Sequence, residues 1–600
     1  MPRSLCLIAM LALTAAAARA QAPADSAWSR TDTMIPVRDG IRLRTYIVAP
    51  RNHADPLPIL LVRTPYNAAG PARNFPGPFR FLAADGYIFV FQDIRGRYGS
   101  QGEYLMNRPL RTDSSGIDET TDTYDTVEWL LHHVPNTNGR VGGLGISYPG
   151  WLATMTGLSG HPAVKAVSPQ APMTDGWMGD DFYHNGAFRQ SYGVEYTWGM
   201  EVGEFDVGYG DMYDFYLTLG GPAGIVARLG RSWPSWEGFT HHPDYDAYWR
   251  ARAAQRAITR TPLAVLVVGG FYDQEDIFGP SATFRAFAAH DSAGLVRIAL
   301  GPWCHGCWYG PGTQINQVRL GDSTGVWFRR EVEAPFFAWY LKDRGPLPVA
   351  RATMFEGGDN RWRRFDSWPP REAVTRRLYL RSGGRVSFDP PGAGETPFDQ
   401  YVSDPAHPVP YRPRPVEVTY SRGSHWFEWQ AEDQRFVDGR PDVMTFRSEP
   451  LTEDVTIAGD IAAHLFASTT GSDADWVVKL IDEYPDSVQA DRPMGGYQLM
   501  VSGEILRGRY RTSPEHPAAI VPNRVLDYAI RMDPQVYRFQ RGHRIMVQVQ
   551  STWFPLYDRN PQTFVPSIFA ASPSDYRSAT QRIYHTPQYA SHVSVGVLPD

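Results

Sequence analysis

Short apolar runs alternate with amphipathic stretches between Asp32 and about Gln170, and this alternation constrains the fold more than any other feature. The runs 58–62 and 87–91 are continuously apolar and bounded by Pro, Gly or Asp, which is typical of strands covered on both faces. After the second run, apolar residues recur at helical spacing through 127–134. Alternating strands and helices predict an α/β domain built on a parallel sheet.

In the rest of the chain, the composition and the pattern of apolar runs change twice. The stretch from Asp175 to about Arg260 is rich in aromatic residues, Asp and Gly, and buried-strand runs return at 263–268 and 296–300. Beyond Arg376, short strand-like pieces follow one another without helices between them, which is typical of a β-sandwich. These pieces are 378–380, 455–457, 462–467, 476–481 and 545–549. A chain of 600 residues also favours several domains. We predict a signal peptide at 1–20, an α/β domain at 21–174 and 261–375, a helical cap inserted at 175–260, and a jelly-roll β-sandwich at 376–600.

Composition narrows the class of protein. Hydrophobic residues make up 42% and charged residues 20%, which excludes disorder for the bulk of the chain. The 58 basic and 64 acidic side chains leave a net charge of -6, which argues against nucleic acid as a partner. Beyond the N-terminus, no apolar stretch is long enough to span a bilayer, so we expect no membrane partner either.

The N-terminus has the pattern of an export signal. Arg3 precedes the apolar run 5–18, and Ala18-Arg19-Ala20 forms a small-x-small cleavage site before Gln21. A membrane anchor is the alternative, but this run is shorter than the roughly 20 apolar residues that an anchor needs. We therefore expect a periplasmic or secreted protein whose mature chain begins near Gln21.

Cleavage would remove Cys6 and leave Cys304 and Cys307 as the cysteines of the mature chain. In an exported protein, the spacing C-H-G-C permits a disulfide across a tight loop. A reduced pair and a zinc site are the alternatives, although a single CxxC without a second pair of ligands is weak evidence for metal. We expect the disulfide and no metal.

A serine lies at a predicted strand-to-helix turn. The predicted strand 140–144 is followed by Gly145-Ile-Ser-Tyr-Pro-Gly150 and then by a helical apolar face through 151–158. Such a turn exposes the Oγ of Ser147 at the sheet edge, beside a helix N-terminus that favours a developing oxyanion. The motif departs from G-x-S-x-G because Pro149 takes the place of the last glycine. A glycine-rich turn with an incidental serine is the alternative.

A nucleophilic serine on this fold needs an acid and a histidine after later strands, in that order. Asp273 follows the run 263–268, and His305 follows the run 296–300. Taken alone, each is also explained as a turn carboxylate or a loop histidine. Their order and placement together predict a catalytic triad of Ser147, Asp273 and His305.

Several longer motifs make the chain similar to a known family. It resembles the cocaine esterase and X-Pro dipeptidyl-peptidase class of serine hydrolases, and within that class the α-amino acid ester hydrolases. The resemblance runs from about Met34 to the C-terminus, and it implies an α/β-hydrolase domain, an inserted cap and a C-terminal jelly roll. The motifs that carry it are Arg63-Thr-Pro-Tyr66, 93–102, 145–150, 179–188, Asp273-Gln-Glu-Asp276, Gly301-Pro-Trp-Cys-His305 and 551–561.

The resemblance implies a role for each residue of the triad and for two tyrosines. Ser147 would be the nucleophile, His305 the general base and then acid, and Asp273 the group that orients the imidazole. The Tyr66 hydroxyl and the Tyr148 backbone N–H would form the oxyanion hole, a use of a phenol that is chemically sound. Without the resemblance, Tyr66 would be a buried aromatic at a strand end.

The resemblance also implies a cluster of carboxylates that pairs with the α-ammonium of the substrate. We assign this role to Asp181, Glu275 and Asp276, while the choice between Asp180 and Asp181 stays open. The alternative for Glu275 and Asp276 is helix N-terminal charge, because an apolar run begins at Ile277.

The predicted enzyme is a serine hydrolase and acyltransferase that cleaves esters and amides of α-amino acids with a free amino group through an acyl-enzyme. Family likeness extends this to hydrolysis or synthesis of β-lactam antibiotics, and it implies a homo-oligomer. We expect a small-molecule substrate and no cofactor. The alternatives are an X-Pro dipeptidyl peptidase, a glutaryl-cephalosporin acylase or a general esterase of the same class, and, outside enzymes, a carbohydrate-binding protein.

Overall fold

A computed structural model describes residues 27–113, 115–260, 263–347, 349–488 and 491–599. The predicted export signal, Cys6 and the expected new N-terminus at Gln21 lie outside the described residues. Within the described ranges, no helix is both long and apolar enough to cross a membrane.

The elements follow in chain order. The strands of the described residues are β1 (Trp28–Pro36), β2 (Arg42–Pro50), β3 (Leu57–Thr64), β4 (Ile88–Asp93), β5 (Thr137–Ile146), β6 (Val164–Gln170), β7 (Tyr183–His184), β8 (Ala187–Phe188), β9 (Ala264–Gly270), β10 (Val296–Gly301), β11 (Gln314–Ile315), β12 (Val318–Arg319), β13 (Ala352–Glu356), β14 (Arg361–Phe365), β15 (Val374–Arg381), β16 (Arg385–Ser387), β17 (Phe398–Ser403), β18 (Met444–Arg447), β19 (Val455–Thr469), β20 (Asp475–Glu483), β21 (Gln498–Arg507), β22 (Leu526–Phe539), β23 (Arg544–Gln550), β24 (Ala579–Tyr584) and β25 (His592–Val597). The α-helices of the same residues are α1 (Ala69–Arg73), α2 (Arg80–Asp85), α3 (Glu119–His133), α4 (Tyr148–Leu158), α5 (Gln190–Glu201), α6 (Met212–Thr218), α7 (Gly224–Leu229), α8 (Pro234–His241), α9 (Ala247–Arg250), α10 (Phe278–Ala288), α11 (Thr324–Phe328) and α12 (Ala334–Lys342).

The N-terminal domain is α/β, as the sequence predicts. Its sheet has ten strands in the order β1-β2-β4-β3-β5-β6-β9-β10-β13-β14 within the described residues. The strands from β4 to β13 in this order run parallel, whereas β1, β2 and β14 are antiparallel additions at the two edges. The central strands β3, β4 and β9 are buried along nearly their whole length, which explains their continuous apolar sequences.

The helix α3 shows how the sequence starts an element in this domain. Asp118 caps its N-terminus by accepting from the N–H groups of Thr120 and Thr121, and the Thr121 hydroxyl completes the capping box. The predicted apolar residues Val127 and Leu130 are fully buried against the sheet core. The predicted helix therefore begins well before its apolar face does.

The stretch 175–260, predicted as a cap, holds the β7–β8 hairpin and helices α5 to α9 between β6 and β9. Its aromatic residues form a buried cluster with Trp426, Trp553 and Phe554 from the C-terminal part of the chain. The cap therefore packs between the α/β domain and the C-terminal domain instead of standing free.

The C-terminal domain is β-rich, with eleven strands hydrogen-bonded into one network in the described part of the chain. The sequence suggests separate pieces at 455–457 and 462–467, but both belong to the single strand β19, whose pairing shifts register between Gly459 and Ile461. Gly459, at a positive φ of 104°, interrupts the apolar pattern without ending the strand. The finer jelly-roll assignment stays a prediction.

Candidate active site

The turn between β5 and α4 holds Ser147 in a strained conformation. Its φ of 68° and ψ of -131° lie in a region that side-chain-bearing residues rarely adopt, at a cost of about 1–3 kcal/mol. The Ser147 N–H donates to the carbonyl of Gln170 at 2.9 Å, so strand β6 holds the turn in place. This hydrogen bond helps to keep the strained serine at the C-terminal edge of the sheet.

Two glycines explain why the motif departs from G-x-S-x-G. A Cβ on Gly145 would lie 2.4 Å from the carbonyl oxygen of Pro149, and a Cβ on Gly150 would lie 2.2 Å from that of Gln170. Helix α4 thus crosses the strands too closely for a side chain at either position. Position 149, in the first helical turn, accepts proline because its N–H needs no helical partner.

Asp273 and His305 meet at the same edge of the sheet, after β9 and β10. The Nδ1 of His305 lies 3.0 Å from both carboxylate oxygens of Asp273. Asp273 Oδ1 also accepts from the N–H groups of Glu275 and Asp276, each at 2.9 Å. The carboxylate is therefore fixed by its own loop, and it turns the Nε2 of the imidazole away from itself.

Ser147 and His305 line one cavity of about 380 Å³ together with Tyr66 and Glu275. Its remaining walls are largely aromatic or apolar and come from the cap and the C-terminal domain: Glu195, Tyr196, Gly199, Met200, Tyr420 and Phe427. The structure thus brings together the three predicted triad residues beside one pocket.

Tyr66 lies at the mouth of this cavity. The residue is 40% exposed because its ring faces the pocket, but its hydroxyl is surrounded by protein and lies 2.8 Å from the hydroxyl of Tyr196. Burial raises the pKa of Tyr66 above its usual range, while hydrogen bonds with Tyr196 and Ser147 act in the opposite direction. The phenol is therefore a protonated donor next to the Ser147 hydroxyl.

Tyr148 offers its backbone and not its side chain to the site. It is the first residue of α4, where a backbone N–H has no partner within the helix. Its ring is fully buried, and its hydroxyl accepts from the N–H of Asn107 at 2.8 Å. The N–H directly after Ser147 is thus the donor available to an oxyanion.

The three predicted carboxylates surround the triad, and two of them, Asp181 and Asp276, are incompletely paired. Neither carboxylate oxygen of the fully buried Asp276 has a hydrogen-bond partner in the described part of the chain, and neither does Oδ2 of Asp181. Burial raises the pKa of Asp181 to about 7, opposed by the Tyr192 hydrogen bond and the Arg189 charge. Burial, with Asp181 as the next contributor, also raises the pKa of Asp276. Among the described residues, no Lys or Arg side chain forms an ion pair with Asp181 or Asp276, and the ionisable group that approaches Asp276 Oδ2 is the His305 ring, at 3.9 Å.

Asp180 and Asp181, which are neighbours in the cap, have different hydrogen-bond partners. Asp180 Oδ2 accepts from the backbone N–H groups of Thr174 and Asp175, at 2.7 and 2.8 Å, so it stabilises a turn. Asp181 instead accepts from the Tyr192 hydroxyl, which also approaches Glu275 Oε2 at 3.4 Å. The geometry therefore favours Asp181 as the member of the cluster.

Sequence reasoning missed the groups that position the loop of Asp273 and Glu275. Trp426 Nε1 donates to Glu275 Oε1 at 2.8 Å, and Gln430 Nε2 donates to the Asp273 carbonyl at 2.9 Å. Arg189, buried beneath the loop, donates to the carbonyl of Glu275 at 3.0 Å and stacks on Trp426 with its guanidinium 5.8 Å from the ring centre. No local motif marks these residues; the aromatic density of their segments is the one signal present in the sequence.

Cys304 and Cys307 form a disulfide in the structure. The closed loop contains His305 and Gly306, the latter at a positive φ of 71° that suits glycine. The backbone N–H of His305 donates to Gln274 Oε1 at 3.1 Å. The histidine is thus held both by its own short loop and by the loop that carries Asp273.

Replacing Asp276 with Asn is expected to raise the melting temperature of the free protein at about pH 8 by roughly 2–5 °C. The folded pKa of Asp276 lies above the unfolded value. The stability contribution of this group is therefore fully present below about pH 4 and is lost as the pH rises toward the folded pKa. Asn does not titrate, so calorimetry at about pH 5 should show a smaller difference. Equal melting temperatures of the variant and the native protein at both pH values would contradict this account.

The spatial order of these groups, with a serine at a strand-to-helix turn and an acid and a histidine after later strands, defines a serine hydrolase of the α/β-hydrolase fold. Residues 39–307 match the X-Pro dipeptidyl-peptidase (S15) family, and residues 342–594 match the C-terminal non-catalytic domain of X-Pro dipeptidyl-peptidases. The chain belongs to this family.

Three relatives cover nearly the whole chain. The crystal structure of an aminopeptidase from a marine sediment Thaumarchaeota archaeon is 44% identical, covers 96% of this chain and 97% of its own, and superposes with a TM-score of 0.93. A selenomethionine-labelled α-amino acid ester hydrolase is 41% identical, with coverages of 98% and 100% and a TM-score of 0.91. Cocaine esterase from Rhodococcus sp. is 28% identical over 95% of this chain and 98% of its own.

Proposed function

We propose that the enzyme cleaves esters and amides of α-amino acids with a free α-amino group. Ser147 Oγ attacks the acyl carbon while His305 Nε2 takes the serine proton. The Tyr66 hydroxyl and the Tyr148 N–H donate to the developing oxyanion. The imidazolium then protonates the leaving alcohol or amine, and water, activated by the same imidazole, releases the acid.

The observation that carries this proposal is a set of buried carboxylate oxygens beside the triad that lack hydrogen-bond donors among the described residues. Asp276 buries two carboxylate oxygens without a hydrogen-bond donor among the described residues, and Asp181 buries one. An ammonium group offers three donors and one positive charge, which suits such a site. Glu275, which lines the cavity, connects this cluster to the bound substrate.

Two relatives support the same substrate class. The names of the 44% and 41% identical structures, an aminopeptidase and an α-amino acid ester hydrolase, both refer to compounds with an amino group at the acyl side. Cocaine esterase, at 28% identity, keeps a general esterase as the alternative. From the resemblance to the α-amino acid ester hydrolases, we include a β-lactam nucleus among the proposed acyl acceptors.

An amino acid ester with a free α-amino group is expected to react much faster than its N-acetyl counterpart. Loss of the charge-assisted contact leaves buried carboxylates unpaired, at a cost of about 2–5 kcal/mol. This corresponds to roughly 30-fold to several thousandfold in kcat/KM. Initial rates on matched p-nitrophenyl or methyl esters of phenylglycine provide the measurement. Equal kcat/KM for the two esters would leave a general esterase, whereas activity confined to X-Pro substrates would indicate a dipeptidyl peptidase.

Replacing Tyr66 with Phe should lower kcat by about 10²-fold or more, with a smaller change in KM, because the phenol donates mainly in the transition state. Steady-state kinetics on an activated ester would test this. Tyr196→Phe is the matched control, since it removes a hydroxyl that contacts Tyr66 at 2.8 Å but not the serine turn. An unchanged kcat in Tyr66→Phe would mean that Tyr66 packs in the site and does not donate to the oxyanion.

A further inference from the structure

Glu275 lies between the cavity and the catalytic base. Its Oε2 is 3.4 Å from Nε2 of His305, while Nδ1 of the same ring faces Asp273 at 3.0 Å. Nε2 is the nitrogen that must accept the proton of Ser147. The carboxylate that faces the substrate ammonium therefore also holds the working nitrogen of the base.

The free protein has a resting arrangement of the triad. In the described part of the chain, the Tyr66 hydroxyl is hydrogen-bonded to Tyr196, and the polar contact of His305 Nε2 is with Glu275 Oε2, at 3.4 Å. Burial opposes protonation of His305, but the charges of Asp273 and Glu275 outweigh it and raise its pKa to about 9. An imidazole that already carries this proton cannot act as a base.

The charged groups that act on His305 are carboxylates of the loop after β9 and of the cap. The loop after β9 supplies Asp273, Glu275 and Asp276, the last 3.9 Å from Nδ1, and the cap supplies Asp181. The C-terminal domain contributes Trp426 and Gln430, which are uncharged. Arg189 is the cation nearby, but it donates to the carbonyls of Gln274 and Glu275 instead of to their carboxyl or amide groups.

We propose that Glu275 is a substrate-operated switch on the base, and the proposal rests on the function proposed above. In the free enzyme, Glu275 holds protonated His305 at Nε2. The α-ammonium of a bound substrate takes over Oε2 of Glu275, and His305 releases its Nε2 proton to water. The neutral imidazole then accepts the Ser147 proton as Oγ attacks, so one proton leaves the site for each ammonium that binds.

Two features of the site make this exchange favourable. The ammonium brings a full positive charge into a cluster of buried acids, where charge interactions are strong, and this lowers the proton affinity of His305. Trp426 keeps Oε1 of Glu275 in place at 2.8 Å, so Oε2 is the oxygen that exchanges the imidazole for the ammonium. Substrates without an amino group would find the base still protonated.

The switch predicts effects of opposite sign for Glu275→Gln. At about pH 7, the variant should hydrolyse an ester without an amino group roughly 10-fold faster than the native enzyme, because each unit of lowered pKa raises the unprotonated fraction tenfold. Its pH profile should rise at lower pH than that of the native enzyme. The matched amino ester should react at least about 10-fold more slowly, because an ammonium contact is lost. Glu333→Gln is the matched control, at a buried glutamate that accepts from the Gln170 side chain at 2.8 Å. In this variant the ratio of the rates on the neutral and the amino ester should stay that of the native enzyme.

Other outcomes separate the switch from the proposed function. If Glu275→Gln slows the amino ester but leaves the neutral ester unchanged or slower, the switch is overturned while the ammonium site stands. If the native enzyme shows no preference for the amino ester, the proposed function itself fails.

A second measurement uses the native enzyme and does not depend on the variant folding. Methylammonium should accelerate labelling of Ser147 by a neutral fluorophosphonate several-fold at about pH 7, because it occupies the cluster and leaves the acyl space free. The acceleration should vanish at about pH 10, where His305 has already lost its proton. Sodium chloride at equal ionic strength is the control. Unchanged or slower labelling at about pH 7 would overturn the switch.

Discussion

Ser147→Ala is expected to lower kcat on amino esters by about 10⁴-fold or more, because the chemistry then loses its covalent intermediate and keeps only the oxyanion donors and substrate binding. Folding should be unaffected. Alanine has backbone preferences similar to those of serine, so the strain at φ 68° remains, and the half-buried hydroxyl opens no core cavity. Steady-state kinetics and fluorophosphonate labelling measure the loss, and calorimetry measures the stability.

Ser281→Ala provides the matched control for that result. Ser281 is buried, and its Oγ has no hydrogen-bond partner among the described residues. It lies on α10, shortly after the loop of Asp273, so the same substitution is made close to the site without touching it. Retained activity in Ser147→Ala, with labelling unchanged, would assign the nucleophile to another residue.

The order of the triad could be predicted from sequence because each part follows from a local pattern. A buried strand reveals itself by a continuous apolar run, and residues that follow parallel strands meet at one sheet edge. The predicted strands that precede Ser147, Asp273 and His305 therefore predict that the three residues lie near one another. The C-terminal strands were harder, because Gly459 interrupts the apolar pattern of β19 while the strand continues through it.

The walls of the site could not be predicted in this way, because they come from segments far apart in the chain. Trp426 reaches Glu275 from a loop of the C-terminal domain, 151 residues later in sequence. The Trp426 contact depends on how the domains dock, and docking leaves no short-range signature in the sequence. Tyr192 reaches Asp181 within the cap, 11 residues away, but from a helix with little periodicity to mark its inner face. They are also the contacts that orient the carboxylates, so specificity was less predictable than the catalytic chemistry.

Asp273→Asn is expected to lower kcat by about 10⁴-fold, through the position of one proton on His305. Oδ1 of Asp273 accepts two backbone N–H groups at 2.9 Å, so an Asn side chain must keep its oxygen there. Its NH₂ group then faces Nδ1 of His305 in place of Oδ2. Nδ1 becomes the acceptor, and the remaining proton of the neutral ring moves to Nε2, which can no longer take the proton of Ser147.

Kinetics and the ¹⁵N chemical shifts of His305 test this together, because a tautomer change moves both nitrogen signals whereas a packing defect does not. Asp291→Asn is the matched control, since Asp291 also accepts two backbone N–H groups, at 2.8 and 2.9 Å, but lies in the loop before β10. A loss below about 10-fold in Asp273→Asn, with the native tautomer retained, would mean that another carboxylate orients the ring. Asp276 Oδ2, 3.9 Å from Nδ1, is the group placed to do so. On an ester without an amino group, which does not use the ammonium site, a further Asp276→Asn substitution would then remove the remaining activity, whereas with Asp273 as the orienting group it would add little.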